Sequence, residues 1–126
     1  MKQNTVLGLF CAVLMCWGAQ AAPDSVGSVQ VVLLAGQSNM GGAGNYDALA
    51  DADKARVQAV ASKVRISRNG GPLVPLSYDV SEYQRQKRGF ANCFGPELFI
   101  GVTLAEAQPE QEYLFIKFAQ GGTSLY

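Results

Sequence analysis

The chain has 126 residues, 48% of them hydrophobic and 16% charged, with ten Lys and Arg balanced by ten Asp and Glu and no histidine. That balance leaves no basic field for a phosphate backbone, so no nucleic-acid partner is expected, and the apolar content without any low-complexity tract excludes a disordered chain. The missing histidine excludes any hydrolytic mechanism whose imidazole base comes from these residues.

Residues 1–21 read as a secretory signal peptide. Lys2 gives a positive start, Val6 to Trp17 is apolar with only Gly8 interrupting, and Ala19-Gln20-Ala21 supplies the small residues a signal peptidase accepts. The alternative is a membrane anchor, but a run of about a dozen residues falls short of the roughly 20 needed to span a bilayer. The expected product, residues 22–126, is secreted or periplasmic and has no membrane partner once the signal is cleaved. Cleavage would also remove Cys11 and Cys16, leaving Cys93 as a buried small apolar residue or as the partner of a thiol outside this sequence.

Val29 to Ala35 is nearly continuous in apolar residues and predicts a strand buried on both faces, as in a parallel sheet covered by helices. Asp51 to Ser62 predicts a helix with Val57, Val60 and Ala61 on one side. Lys63 to Ser67 alternates like a strand, and Asn69-Gly70-Gly71-Pro72 stops it. Pro72 to Cys93 has no period and reads as a long surface loop. Gly95-Pro96-Glu97 opens a helix that Pro109 ends, with Leu98, Val102 and Ala105 facing a core, and Tyr113 to Ala119 is a second apolar strand. The order predicts a three-layer α/β domain with a mainly parallel sheet flanked by helices.

Ligands of such sheets gather where loops leave the carboxyl ends of strands. Two unusual segments fall there, Gly36-Gln37-Ser38-Asn39-Met40-Gly41-Gly42 and Gln120-Gly121-Gly122-Thr123-Ser124. If their strands are neighbours, the segments meet at one rim. A serine on a tight strand-to-helix turn presents its hydroxyl there, with backbone N–H groups near a developing oxyanion. Gly36 would relieve crowding before it, and Gly41 and Gly42 would let a substrate approach. On spacing alone, Ser38 and Asn39 could equally cap the next helix. Phosphate binding fits poorly: no lysine follows the glycines as in a P-loop, and Gly42-Ala43-Gly44-Asn45-Tyr46-Asp47 lacks the last glycine of a dinucleotide fingerprint. No cofactor and no metal is expected.

Val31-Val32-Leu33-Leu34-Ala35-Gly36-Gln37-Ser38-Asn39-Met40, Phe94-Gly95-Pro96-Glu97-Leu98 and Ile116-Lys117-Phe118-Ala119-Gln120-Gly121-Gly122-Thr123-Ser124-Leu125 together resemble the sialate O-acetylesterase and acetylxylan esterase group of SGNH hydrolases. The resemblance implies an SGNH or flavodoxin-like fold and a secreted carbohydrate O-acetylesterase acting on acetyl esters of sialic acid or polysaccharide. It implies Ser38 as nucleophile, with the Ser38 N–H and that of Gly122, or less favourably Gly121, in the oxyanion hole. Gln37 and Asn39 become candidates for substrate binding. The group's closing Asp-x-x-His motif and its middle Trp-x-Gln-Gly-Glu type segment are absent. With about three strands before Leu125-Tyr126, against about five or six in open doubly wound sheets, the expectation is a truncated domain, the N-terminal portion of a longer enzyme. The fragment is expected to be inactive by itself. The competing reading is a non-catalytic remnant, or a carbohydrate-binding relative lacking the base.

Other side chains have structural readings beside functional ones. Asp47, Asp51 and Asp53 suit a solvated helix start better than a cation site. Arg85, Lys87 and Arg88 form a solvated basic patch or touch an acidic sugar, and Tyr78, Tyr83 and Phe90 could form a stacking wall for a sugar ring. Glu97 is explained by its helix start, and Lys117 by snorkelling or pairing.

Overall fold

A computed structural model describes residues 27–122. The predicted signal segment with Cys11 and Cys16, and Thr123, Ser124 and Leu125 of the last motif, lie outside the described residues. In chain order the elements are β1 (Val29–Gly36), α1 (Ser38–Gly41), β2 (Gly44–Asn45), α2 (Asp51–Val60), β3 (Val64–Arg68), β4 (Val74–Pro75), β5 (Asp79–Val80), α3 (Glu82–Arg88), β6 (Asn92–Phe94), α4 (Glu97–Ala107) and β7 (Glu112–Ala119).

The main sheet has the order β1-β7-β3-β4, with β7 parallel to both β1 and β3 and β4 antiparallel at the far edge. The β7 strand, last in the chain, therefore inserts between the first two long strands. In the β1–β7 register Val29 faces Glu112 and Gly36 faces Ala119, so both strands end at the same level. A second, small antiparallel sheet has the order β2-β6-β5.

Alternation along the strands sorts the side chains. Val64, Ile66, Tyr113, Phe115 and Leu34 point into one core, where they meet Val57 and Val60 of α2 and Leu98, Val102 and Ala105 of α4. The helix faces predicted from spacing pack here, except for Ala61, which follows the end of α2 and stays half-buried outside this core. Gly101 lets α4 pack closely on the core, because a Cβ there would lie 2.6 Å from Leu76 Cδ2 and 3.2 Å from Val64 Cγ1 of β3. The fold is thus the expected mainly parallel α/β arrangement with flanking helices.

Two expectations need correction. The β1 strand is not buried on both faces: Val31 is 58% and Leu33 75% exposed, and they share their face with Ile116 and Phe118 of β7, the latter 59% exposed. The nearly continuous apolar run suggested two covered faces, but among the described residues only one is covered, and β1 is an edge strand. Nor is Pro72 to Cys93 a featureless loop, since it holds β4, β5, α3 and the start of β6. The α3 helix carries signals that the sequence offered. The Ser81 hydroxyl caps it by accepting from the Gln84 N–H, Arg85, Lys87 and Arg88 fill its last turn, and Gly89 ends it at φ 81°.

Cys93 sits 4% exposed in β6, its thiol donating to the Ala91 carbonyl oxygen, and burial foremost pushes its pKa upward. The buried-residue reading holds. The acidic residues at and before the start of α2 are used locally: Asp51 and Asp53 in its first turn pair with Lys54 and Arg56, and Asp47 accepts from Asn92 Nδ2.

Candidate active site at the rim of the parallel strands

The β1 strand stops at Gly36, and after Gln37 the chain turns into the single helical turn α1, which begins at Ser38. The turn is tight. A Cβ on Gly36 would lie 2.8 Å from Met40 Cβ, so glycine is what lets the turn fold back over the strand end. Met40 then packs against the core while Ser38 and Asn39, on the other side of the turn, remain exposed. No side chain caps α1, so the capping role open to Ser38 and Asn39 is not the one they play.

Parallel pairing brings the second segment to the same rim. The Gln120 N–H donates to the Gly36 carbonyl at 3.1 Å, so Gly121 and Gly122 leave β7 next to the point where Gln37 and Ser38 leave β1. Gly122 has φ 76°, a conformation that favours glycine. On the other flank of β7, Asn69 accepts from the Ala119 N–H at Oδ1 and donates its own N–H to the Lys117 carbonyl, tying the end of β3 to the same rim.

Above the rim lies a cavity of about 470 Å³, lined by Ser38, Asn39 and Gly42 on one side and by Tyr83, Gln84 and Arg88 of α3 on the other. The structure brings Ser38 and Asn39 of the candidate residues into this cavity. Gln37 is exposed but does not line it, its carbonyl accepting from the Gly41 N–H. Of the suggested sugar-stacking residues Tyr83 lines the cavity, whereas Tyr78 packs on Tyr46 with ring centroids 4.7 Å apart. Of the basic patch Arg88 lines it, and Arg85 is taken up by Glu82 at 3.3 Å. Among the described residues no group of three or more His, Cys, Asp and Glu is placed to hold a metal ion.

Beneath the α1 turn lies a feature that sequence reasoning undervalued. Glu97 is 1% and Lys117 4% exposed, and Lys117 Nζ donates to Glu97 Oε2 at 2.6 Å and to the Gly41 carbonyl at 3.1 Å. Arg68 Nε stands 3.7 Å from Glu97 Oε1. A helix start alone does not explain a carboxylate buried this fully. The signal that could have revealed the pair was a lysine inside an apolar strand, which needs an anion or an escape to solvent.

Residues 28–126 match the carbohydrate esterase family described as sialic acid-specific acetylesterase. The chain belongs to this family. The match spans the rim turn, the Gly95-Pro96-Glu97 junction and the last strand, which are the three segments on which the resemblance stood. For this carbohydrate esterase, acetylesterase-type chemistry and an acetylated carbohydrate substrate follow from the family. No curated protein and no solved structure matches the chain.

Proposed function

We propose that the chain supplies the nucleophile side of a secreted carbohydrate O-acetylesterase site, with Ser38 as the attacking residue. The observation that carries this is the position of Ser38: exposed, lining a cavity, and at the rim shared with the Gly121-Gly122 turn. In the reaction the Ser38 Oγ forms a bond to the acetyl carbonyl carbon while its proton passes to a base, and the charge that develops on the carbonyl oxygen is met by backbone N–H groups of Ser38 and Gly122. The sugar hydroxyl leaves with that proton, and water then releases acetate from the acyl-serine. These 126 residues hold no histidine, so an imidazole base has to come from outside them and the chain by itself is inactive.

Arg88 and Tyr83 on the opposite wall favour an acidic sugar such as an O-acetylated sialic acid over a neutral one. A guanidinium can pair with the sugar carboxylate, and an aromatic face suits the ring. Arg88 takes part in no ion pair among the described residues, which leaves it available. Residues 1–21 would direct the product out of the cytoplasm.

The test uses an activated acetyl ester with added imidazole as a mobile base, followed by peptide mass spectrometry. Acetyl groups should accumulate on Ser38 in preference to the exposed Ser62, and removal of Arg88 should weaken binding of an acetylated sialic acid while sparing an acetylated xylose. Equal labelling of Ser38 and Ser62 would overturn the nucleophile assignment. The competing reading, a carbohydrate-binding relative, expects sugar binding without preferential acetylation.

A further inference from the structure

We infer that the buried Lys117–Glu97 pair is a positioning device that fixes the Ser38 turn against the β6–α4 junction. The inference rests on Ser38 being the nucleophile for its functional meaning, though not for its geometry. Four groups form an unbroken polar chain. The Gly41 carbonyl at the end of α1 accepts from Lys117 Nζ at 3.1 Å, Nζ also donates to Glu97 Oε2 at 2.6 Å, and Glu97 Oε1 accepts from the Gly95 N–H at 3.3 Å. One end of this chain lies three residues after Ser38, and the other lies in the junction that opens α4.

The two backbones it joins are in direct contact. A Cβ on Gly42 would strike Gly95 Cα and would lie 2.5 Å from the Gly95 nitrogen. A Cβ on Gly95 would lie 2.6 Å from Glu97 Oε2, 2.8 Å from the Met40 carbonyl oxygen and 3.0 Å from Lys117 Nζ. The carboxylate, the ammonium and the α1 backbone therefore crowd the space where a Gly95 side chain would stand. Glycine at both positions is what allows the approach.

Stability alone does not account for such a pair, because removing two charges from water often costs as much as their attraction returns, and an apolar replacement is commonly neutral or better. What an apolar replacement lacks is a donor to the Gly41 carbonyl. Lys117 and Glu97 are not among the cavity residues, so they act through the α1 turn and are positioning residues.

Native-state amide exchange of the full chain, followed residue by residue by NMR, separates positioning from bulk stability. The comparison uses Lys117→Met and the neutral double variant Glu97→Gln with Lys117→Met. The reporters are the Gly41 and Gly42 amides, which donate to the Gln37 and Ser38 carbonyls within the α1 turn, and the references are the core amides of Tyr113 and Leu76. The single variant leaves a buried carboxylate without its ammonium and should speed all four. The double variant carries no charge at these two positions, and Arg68, which loses the Glu97 carboxylate 3.7 Å away, keeps its bond to the Ser77 carbonyl and a partly exposed side chain, so Tyr113 and Leu76 should return close to wild-type protection. Gly41 and Gly42 should still exchange about 10- to 100-fold faster, the loss expected for one hydrogen bond to a charged donor. The inference is overturned if Gly41 and Gly42 recover together with the core in the double variant, or if all four amides stay accelerated by the same factor. It is also overturned if the α1 amides are already unprotected in the wild type. Since the readout is exchange and not acetyl transfer, it can fail while Ser38 acetylation succeeds, and the reverse.

Discussion

Replacing Gly42 by alanine, with Gly41→Ala as its neighbour control, sets two adjacent glycines against each other. Gly42 has φ 82° and ψ 147°, a region almost reserved to glycine, and an alanine there stores about 1 to 3 kcal/mol of backbone strain. Its methyl group would also meet the backbone of Gly95 and lie 2.5 Å from the Phe94 carbonyl oxygen. Neither is the flexible end of a side chain, so overpacking adds about 1 to 3 kcal/mol. Together the variant should lose about 2 to 6 kcal/mol out of the 5 to 15 kcal/mol typical of a domain, lowering a urea midpoint by about 1 to 3 M. Gly41 has no positive φ, and a Cβ there meets nothing within 4 Å. Gly41→Ala should therefore be neutral or up to about 1 kcal/mol stabilising, through the restricted unfolded chain. Urea unfolding followed by circular dichroism measures both. If the two variants fall within about 0.5 kcal/mol of each other, the close packing of the rim turn on the β6–α4 junction is wrong.

Other outcomes follow from the same structure. Ser38→Ala removes an exposed hydroxyl that caps nothing, so thermal unfolding should move by no more than about 0.5 kcal/mol, and a loss above about 1 kcal/mol would reveal a structural role. Glu106 accepts from Arg56 Nε and Nη2 at 2.8 Å, and this bonding first, with the guanidinium charge, holds its carboxyl below the usual 4.5. A depressed carboxyl contributes stability above its unfolded pKa and loses it as pH falls through the folded one. The penalty of Glu106→Gln should thus be visible near neutrality, shrink below pH 4.5 and weaken with salt, and a penalty that grows on acidification would contradict the pairing. Cys93, with its pKa raised by burial and then by Asp79 and Asp47, should react with iodoacetamide at least about tenfold more slowly in the folded chain than in urea. Equal rates would show that β6 does not shield it.

Much of the parallel framework was legible because its physics is local. Apolar runs at 29–35 and 113–119 and the helical spacing of Val57, Val60, Leu98, Val102 and Ala105 each depend on a few neighbouring residues. Strand adjacency was not legible, since nothing local says that β7 enters between β1 and β3. The misread segment from Pro72 to Cys93 is built of short elements whose cues are single residues, such as the Ser81 cap and Gly89, so periodicity had nothing to measure. Ser38 stood out by its turn. The partnership of Glu97 with Lys117 did not, because twenty residues separate them and their meeting depends on how α4 lies over β7.

The insertion of β7 between the two earlier strands also bears on the order in which the molecule forms. Pairing Gly36 with Ala119 closes a loop of some eighty residues, an entropic cost met only once most of the intervening chain has settled. The α2 and α4 helices can form from nearby residues, but the rim that carries Ser38 has no second side until the last strand slides in. A nascent chain still lacking β7 would hold the serine turn without its glycine neighbours, and the two halves of the rim would meet only at that final docking.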